Sequence, residues 1–319
     1  MSDDALRALR EVQEHFRLPS VGLVEKDLYV VKAIAAVAAI DSAPYMLVFG
    51  GGTALARAHK IIRRMSEDVD FKIVPLAAAP VSRSGIRRAL GKLGEQVTAA
   101  LLAAGFVFDP KDEAFTRSRN DNRYTIWQLP YAAESGGGEE LRPTIQIETT
   151  YAPMRKAPVT LPVSSFVTEA HGRSPDVAQI PCVSPTETAA EKLIALTRRI
   201  AMELAGLSRD PDPTLVRHIY DLHLMQGHID PGQVAALARD IAEADAKEFR
   251  NQYPAYATDI AAETRKALDA LRADPAYRSR YGAFIIAMSY GERPEFDVAL
   301  ASVAALAEQT IHHEGNGTR

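Results

Sequence analysis

Phe49-Gly50-Gly51-Gly52-Thr53-Ala54-Leu55 and, shortly after it, Arg64-Met65-Ser66-Glu67-Asp68-Val69-Asp70-Phe71 decide how this chain folds. Ahead of the glycines lies Tyr45-Met46-Leu47-Val48-Phe49, a short apolar run whose length and β-favouring residues predict a buried strand. Gly50-Gly51-Gly52 then gives a tight turn, Thr53 to Lys60 has helical composition, and Met65–Val74 returns to strand character. Side chains alternate along a strand. Asp68 and Asp70 therefore share one face, while Val69 and Phe71 point into the core.

Two carboxylates ~6–7 Å apart on one strand face can share divalent cations. Apolar neighbours on both sides mean a packed strand, where paired negative charge is costly unless a cation compensates it. The ligands are hard oxygens with no His or Cys nearby, which favours magnesium. Gly51 and Gly52 let the backbone approach a phosphate, whose oxygens the following amides and the Thr53 hydroxyl can bind. No Gly-Lys-Ser/Thr follows, so this is not a Walker loop.

Outward from this segment, 3–17 and 24–40 read as helices, with Leu6, Leu9, Val12 and Phe16 spaced for one buried face. Residues 84–104 are helical, and Tyr124–Tyr131 and Thr144–Thr150 are strands joined by a polar connection containing Ser135-Gly136-Gly137-Gly138. Tyr151–Pro185, rich in Pro, Ser and Thr, reads as a passage between lobes with a short strand or two. Ser184-Pro185-Thr186-Glu187 and Asp212-Pro213 both start helices, and further helices fit 231–250, 257–273 and 294–310, before a frayed tail at 314–319. The expected architecture is α+β: an N-lobe over 1–180 with a mixed sheet flanked by helices, then a helical C-lobe over 181–319.

Bulk composition narrows the function. Net charge is 37 − 41 = −4, so contact with nucleic acid would rest on local patches. One candidate is Arg83, Arg87, Arg88 and Lys92; another is Arg117, Arg119 and Arg123 beside Tyr124 and Trp127. Each taken alone reads first as a solvated face of a helix or a hairpin. The single Cys182 excludes an intramolecular disulfide framework and reads as apolar filler. His218 and His223 miss the i,i+4 metal spacing, and His312-His313 lie in the tail. No apolar stretch reaches the ~18 residues a membrane span needs, and the acidic start is unlike a secretory signal, which points to a cytoplasmic protein.

The Gly-Gly-Thr turn and the Arg-x-Ser-x-Asp-x-Asp segment resemble those of the nucleotidyltransferase superfamily that includes DNA polymerase β and the CCA-adding enzymes. With Glu25-Lys26-Asp27, Glu191-Lys192-Leu193-Ile194-Ala195-Leu196 and Arg217-His218-Ile219-Tyr220-Asp221-Leu222, most of the chain is similar to the AbiEii/AbiGii abortive-infection toxins and related mycobacterial toxins of type IV toxin–antitoxin systems. The family usually has Arg-Asp-x-x-Asp at the last segment; His218 stands here where its first Asp is common. The resemblance implies a nucleotidyltransferase fold and transfer of a nucleoside monophosphate from an NTP to an acceptor hydroxyl, with a tRNA 3′ end as acceptor and translation blocked. It implies Mg²⁺ or Mn²⁺ on Asp68, Asp70 and Glu148, with Glu148 also taking the acceptor's proton. Gly51, Gly52, Thr53, Arg64, Ser66 and Lys192 would contact the nucleotide, and Asp221 joins the catalytic set. Taken alone, Lys192 reads as a solvent-facing lysine paired with Glu187 or Glu191, and Asp221 as a brace to Arg217. A cognate antitoxin is a further implied partner. Rival expectations are transfer to a protein or small molecule, a kinase-like phosphotransferase, and a nucleotide-binding regulator without turnover.

Overall fold

The structure, a computed structural model, describes residues 2–136, 141–208 and 212–312. Gly137-Gly138 of the polar connection, His313 and the 314–319 tail lie outside the described residues. The chain divides into two compact units, with the break after Ser184.

The first unit opens with α1 (Asp3–Phe16), α2 (Val21–Ala38), β1 (Tyr45–Gly50), α3 (Gly51–Arg57), β2 (Asp68–Pro75) and α4 (Arg83–Ala103). It continues with β3 (Thr116–Arg119), β4 (Tyr124–Pro130), β5 (Thr144–Tyr151), β6 (Val159–Val163), α5 (Phe166–Ala170) and β7 (Val177–Cys182). The strands form one mixed seven-stranded sheet in the order β3-β4-β5-β2-β1-β7-β6. β1 runs antiparallel to β2, and β2 runs parallel to β5.

Period-2 alternation gives the sheet two unlike faces. Val69, Phe71 and Ile73 of β2, Ile145 and Ile147 of β5, and Trp127 and Leu129 of β4 are buried. On this side the Trp127 indole donates to Thr98 Oγ1 of α4 at 2.9 Å, which gives its polar edge a partner. The opposite face carries the half-buried Asp68, Asp70, Gln146, Glu148 and Tyr124.

Tyr151–Pro185 carries the short strands expected of it, β6 and β7, with α5 between them, and β7 lies parallel beside β1 with Phe49 opposite Cys182. This stretch belongs to the sheet and is no mere passage, because Val177, Ile180 and Cys182 are buried against it. Cys182 is apolar filler as expected; burial pushes its thiol pKa up to about 12.

The second unit is helical: α6 (Pro185–Leu204), α7 (Arg217–Met225), α8 (Pro231–Glu248), α9 (Pro254–Thr258), α10 (Ile260–Ala273), α11 (Pro275–Met288) and α12 (Phe296–Ile311). Pro185 does begin a helix. Asp212 does not: its carboxylate accepts from Thr214 N at 2.9 Å and caps a turn, and α7 starts only at Arg217. The single helix expected over 257–273 is two, because Asp259 caps α10 by accepting from Ala262 N at 2.8 Å. Among the described residues no helix is long and apolar enough to cross a membrane.

Candidate active site

The glycine turn and the Asp-x-Asp strand meet where β1 pairs with β2. Gly50 stands opposite Asp70, and Asp70 stands opposite Glu148 on β5. Directly opposed residues share a sheet face, so the row Gly50–Asp70–Glu148 gathers two carboxylates beside the turn.

Gly51 has φ +70°, and a Cβ there would lie 2.8 Å from Asp70 Cγ and overlap its Oδ2. Only glycine meets both demands. A Cβ on Gly52 would lie 2.5 Å from Arg64 Nη2 and 2.9 Å from Ser66 Oγ. Arg64 and Ser66 are therefore drawn to the turn. The Arg64 guanidinium is buried and donates to the Met65 carbonyl at 2.9 Å.

The Thr53 hydroxyl is buried and donates to the Asp68 carbonyl, which ties α3 to β2.

Both oxygens of Glu148 are held. Tyr124 Oη donates to Oε2 at 2.9 Å and Gln146 Nε2 donates to Oε1. Gln146 accepts from Gln128 Nε2, and Gln128 accepts from Thr144 Oγ1 at 2.9 Å. Burial, reinforced by Glu148, pushes the Tyr124 pKa well up, which keeps its phenol a donor. Asp68 is held from the other side: Arg142 Nη2 reaches its Oδ1 at 2.5 Å. Arg142 also binds Glu67, whose Oε1 accepts from the Arg142 amide at 2.9 Å. Glu67 takes a further bond from Lys26 Nζ, which also donates to the Arg142 carbonyl at 2.6 Å. Burial lowers the Lys26 pKa and Glu67 opposes that fall.

Lys26, Glu67 and Arg142 thus form an alternating charge chain ending on Asp68. Sequence reasoning gave none of the three a role. The one available signal was Glu25-Lys26-Asp27, three consecutive charges, all of them buried, in a helix whose one other charge is Lys32. Glu25 accepts from the Glu134 and Ser135 amides at 2.8 and 3.0 Å, and Asp27 accepts from the Phe166 amide at 2.7 Å. Burial raises the Asp27 pKa to about 6, against the pull of Arg57.

By donor chemistry the face fits a hard divalent cation, since Asp68, Asp70 and Glu148 offer only carboxylate oxygens. Their spacing is looser: among the described residues no three His, Cys, Asp or Glu side chains converge as an ion-holding cluster.

In the helical unit, Lys192 of α6 and Asp221 of α7 are both buried and paired at 2.8 Å. The burial of Lys192 replaces the plain expectation of a solvent-facing lysine. His218 Nδ1 stands 3.5 Å from Lys192 Nζ. Burial and the Lys192 charge hold the His218 pKa well below the ordinary range. An ammonium only donates, so this neutral ring accepts through Nδ1.

A family model described as nucleotidyl transferase AbiEii toxin, type IV TA system, matches residues 33–302. The chain belongs to the AbiEii family. It is accordingly a nucleotidyltransferase of the type IV toxin–antitoxin class. Among solved structures, MenT4, a nucleotidyltransferase toxin from Mycobacterium tuberculosis H37Rv, is 16% identical. That match covers 95% of this chain and 88% of MenT4, with a TM-score of 0.48. No curated protein matches the sequence.

Proposed function

We propose that this AbiEii-family chain transfers a nucleoside monophosphate from an NTP to the 3′-terminal hydroxyl of a tRNA, blocking translation in the cytoplasm. The observation that carries the reading is the register of β1, β2 and β5, in which Asp70 lies opposite Gly50 on one side and Glu148 on the other. A phosphate-approaching turn and carboxylates on one sheet face are the two parts that phosphoryl chemistry needs.

Gly51 and Gly52, lacking side chains, bring backbone against the triphosphate, with Arg64 and Ser66 beside them. Glu148, oriented by Tyr124 and Gln146, accepts the proton of the acceptor hydroxyl. The oxygen so freed bonds to the α-phosphorus in line, the bond from that phosphorus to the bridging oxygen breaks, and pyrophosphate leaves. Magnesium or manganese, held by Asp68, Asp70 and Glu148, would supply charge neutralisation for the triphosphate and the leaving group. Arg142 orients Asp68 through the chain that begins at Lys26. Lys192 and Asp221 are assigned to the reaction on the family pattern alone. A cognate antitoxin is the expected regulator.

The test is incubation of the purified protein with Mg²⁺, total tRNA and each α-labelled NTP in turn, with Asp70→Ala alongside. Label in tRNA with the wild type alone is the expected result. No label with any of the four NTPs overturns the tRNA acceptor and directs the search to protein acceptors.

A further inference from the structure

Two arginine runs far apart in the sequence meet in the fold. Arg83, Arg87, Arg88 and Lys92 are exposed along the first half of α4. The tip of the β3–β4 hairpin docks there. Arg83 Nε pairs with Asp121 Oδ2 at 2.6 Å, and Asn122 Nδ2 donates to the Arg87 carbonyl at 3.1 Å. Asn120, Asp121 and Asn122 all have positive φ, so this tip is a tight, specifically shaped turn. Open grooves of about 380 and 440 Å³ flank it, one lined by Arg83 and Arg123 and the other by Arg87, Arg88 and Lys92.

The hairpin carries the other cations. Arg117 stands opposite Ile126 and Arg119 opposite Tyr124. Ile126 in turn stands opposite Glu148. Because opposed residues share a face, Arg117 extends the row Gly50–Asp70–Glu148–Ile126 to the edge of the sheet. Two strand spacings separate it from Glu148, roughly 10 Å. Arg119 ends the adjacent row beyond Tyr124, whose hydroxyl is on Glu148. Among the described residues these seven cations form one ion pair, Arg83–Asp121. They do so on a chain of net charge −4, so the excess is local. Arginine in this density, exposed and fork-shaped, is suited to phosphate oxygens in series.

We propose that β3, the hairpin tip and the first half of α4 form the track for the sugar–phosphate backbone of the acceptor RNA. The backbone runs from Arg117 and Arg119, beside Glu148, around the tip to Arg83, Arg87 and Arg88. This rests on the RNA-acceptor reading above. Binding along the track is governed by charge, so it is insensitive to base sequence and weakens steeply with salt.

The experiment measures binding of 5′-fluorescein-labelled bulk tRNA by anisotropy from 50 to 300 mM KCl. The proteins are the wild type, Arg117→Glu/Arg119→Glu and Arg87→Glu/Arg88→Glu, with thermal melting and NTP binding followed in parallel. Each pair is expected to weaken tRNA binding about ten-fold at 100 mM KCl and to flatten the log–log salt slope by about 1.5, with melting and NTP affinity unchanged. Wild-type affinity in both double variants overturns the track, as does a wild type that binds no tRNA at 50 mM KCl. Label transfer separates the two readings. Transfer by the wild type with an unaltered tRNA KM in both variants sinks the track and leaves the transferase reading standing. Tight, variant-sensitive tRNA binding without transfer supports the track and sinks the acceptor.

Discussion

Replacing Gly51 by alanine tests whether the turn and Asp70 are mechanically one object. The backbone there has φ +70°, a conformation that costs a residue with a Cβ about 1–2 kcal/mol. The new methyl would also lie 2.8 Å from Asp70 Cγ and overlap Oδ2, forcing the carboxylate off its position at a further cost of about 0.5–1.5 kcal/mol. The sum, about 1.5–3.5 kcal/mol, corresponds to a fall of roughly 3–14 °C in the melting of a unit this size. Activity should fall to the level of Asp70→Ala, because the displaced group is the one the proposed chemistry needs. In an Asp70→Ala background the second term vanishes: only the Cβ at position 70, 3.1 Å from the new methyl, remains to meet it. Calorimetry of the four proteins should therefore show a coupling of about 0.5–1.5 kcal/mol, with Gly51→Ala less damaging when Asp70 is absent. Strict additivity, or a Gly51→Ala enzyme with undiminished kcat, would refute the reasoning.

Three further outcomes are expected. Thr53→Val should destabilise by about 0.5–1.5 kcal/mol by removing the hydroxyl's bond to the Asp68 carbonyl, while Thr53→Ser keeps the bond and stays near wild type; equal losses in a urea melt would reject that role. Asp27 has its folded pKa raised from 3.8 to about 6, so the folded state binds the extra proton and stability falls as pH rises from about 4 to 6. Relative to Asp27→Asn, the wild type should lose about 3 kcal/mol across that window, and a flat difference would count against it. Lys192→Met should cost about 3–5 kcal/mol by removing one partner of a buried ion pair. Lys192→Met/Asp221→Asn should recover most of that stability and none of the activity; recovered activity would make the pair purely structural.

What could be seen in the sequence was local. The strand, glycine turn, helix and Asp-x-Asp strand are written in consecutive residues, and the alternation at Asp68-Val69-Asp70-Phe71 assigned the faces before any pairing was known. The same period placed Glu148 on the open face of β5. What stayed hidden depends on partners distant in the chain. Lys26 reaches Glu67 across 41 residues, and Glu67 reaches the Arg142 amide across 75, distances over which periodicity carries no information. Val177–Cys182 lacks a clean alternation because its pairing with β6 is irregular between Val177 and Ile180, which leaves Ala178 and Gln179 both exposed. The bond from the Thr53 hydroxyl to the Asp68 carbonyl was hidden for a related reason, since it spans 15 residues. α11 escaped notice because its buried positions, Tyr277, Tyr281 and Ile285, are interrupted by arginines.

The pairing of Phe49 with Cys182 bears on how the protein is made. β1 emerges early from the ribosome with one flank open, and the strand that covers it is among the last of the first unit to be synthesised. Until then the chain holds a glycine-bounded apolar strand with unsatisfied amides and carbonyls, a template for pairing with another nascent copy. A chain ended at residue 150 would keep Asp68, Asp70 and Glu148 and still leave that flank bare. The sheet is therefore sealed only after nearly all of its first unit has been translated, and a chain stopped earlier presents the bare flank of β1 to its neighbours.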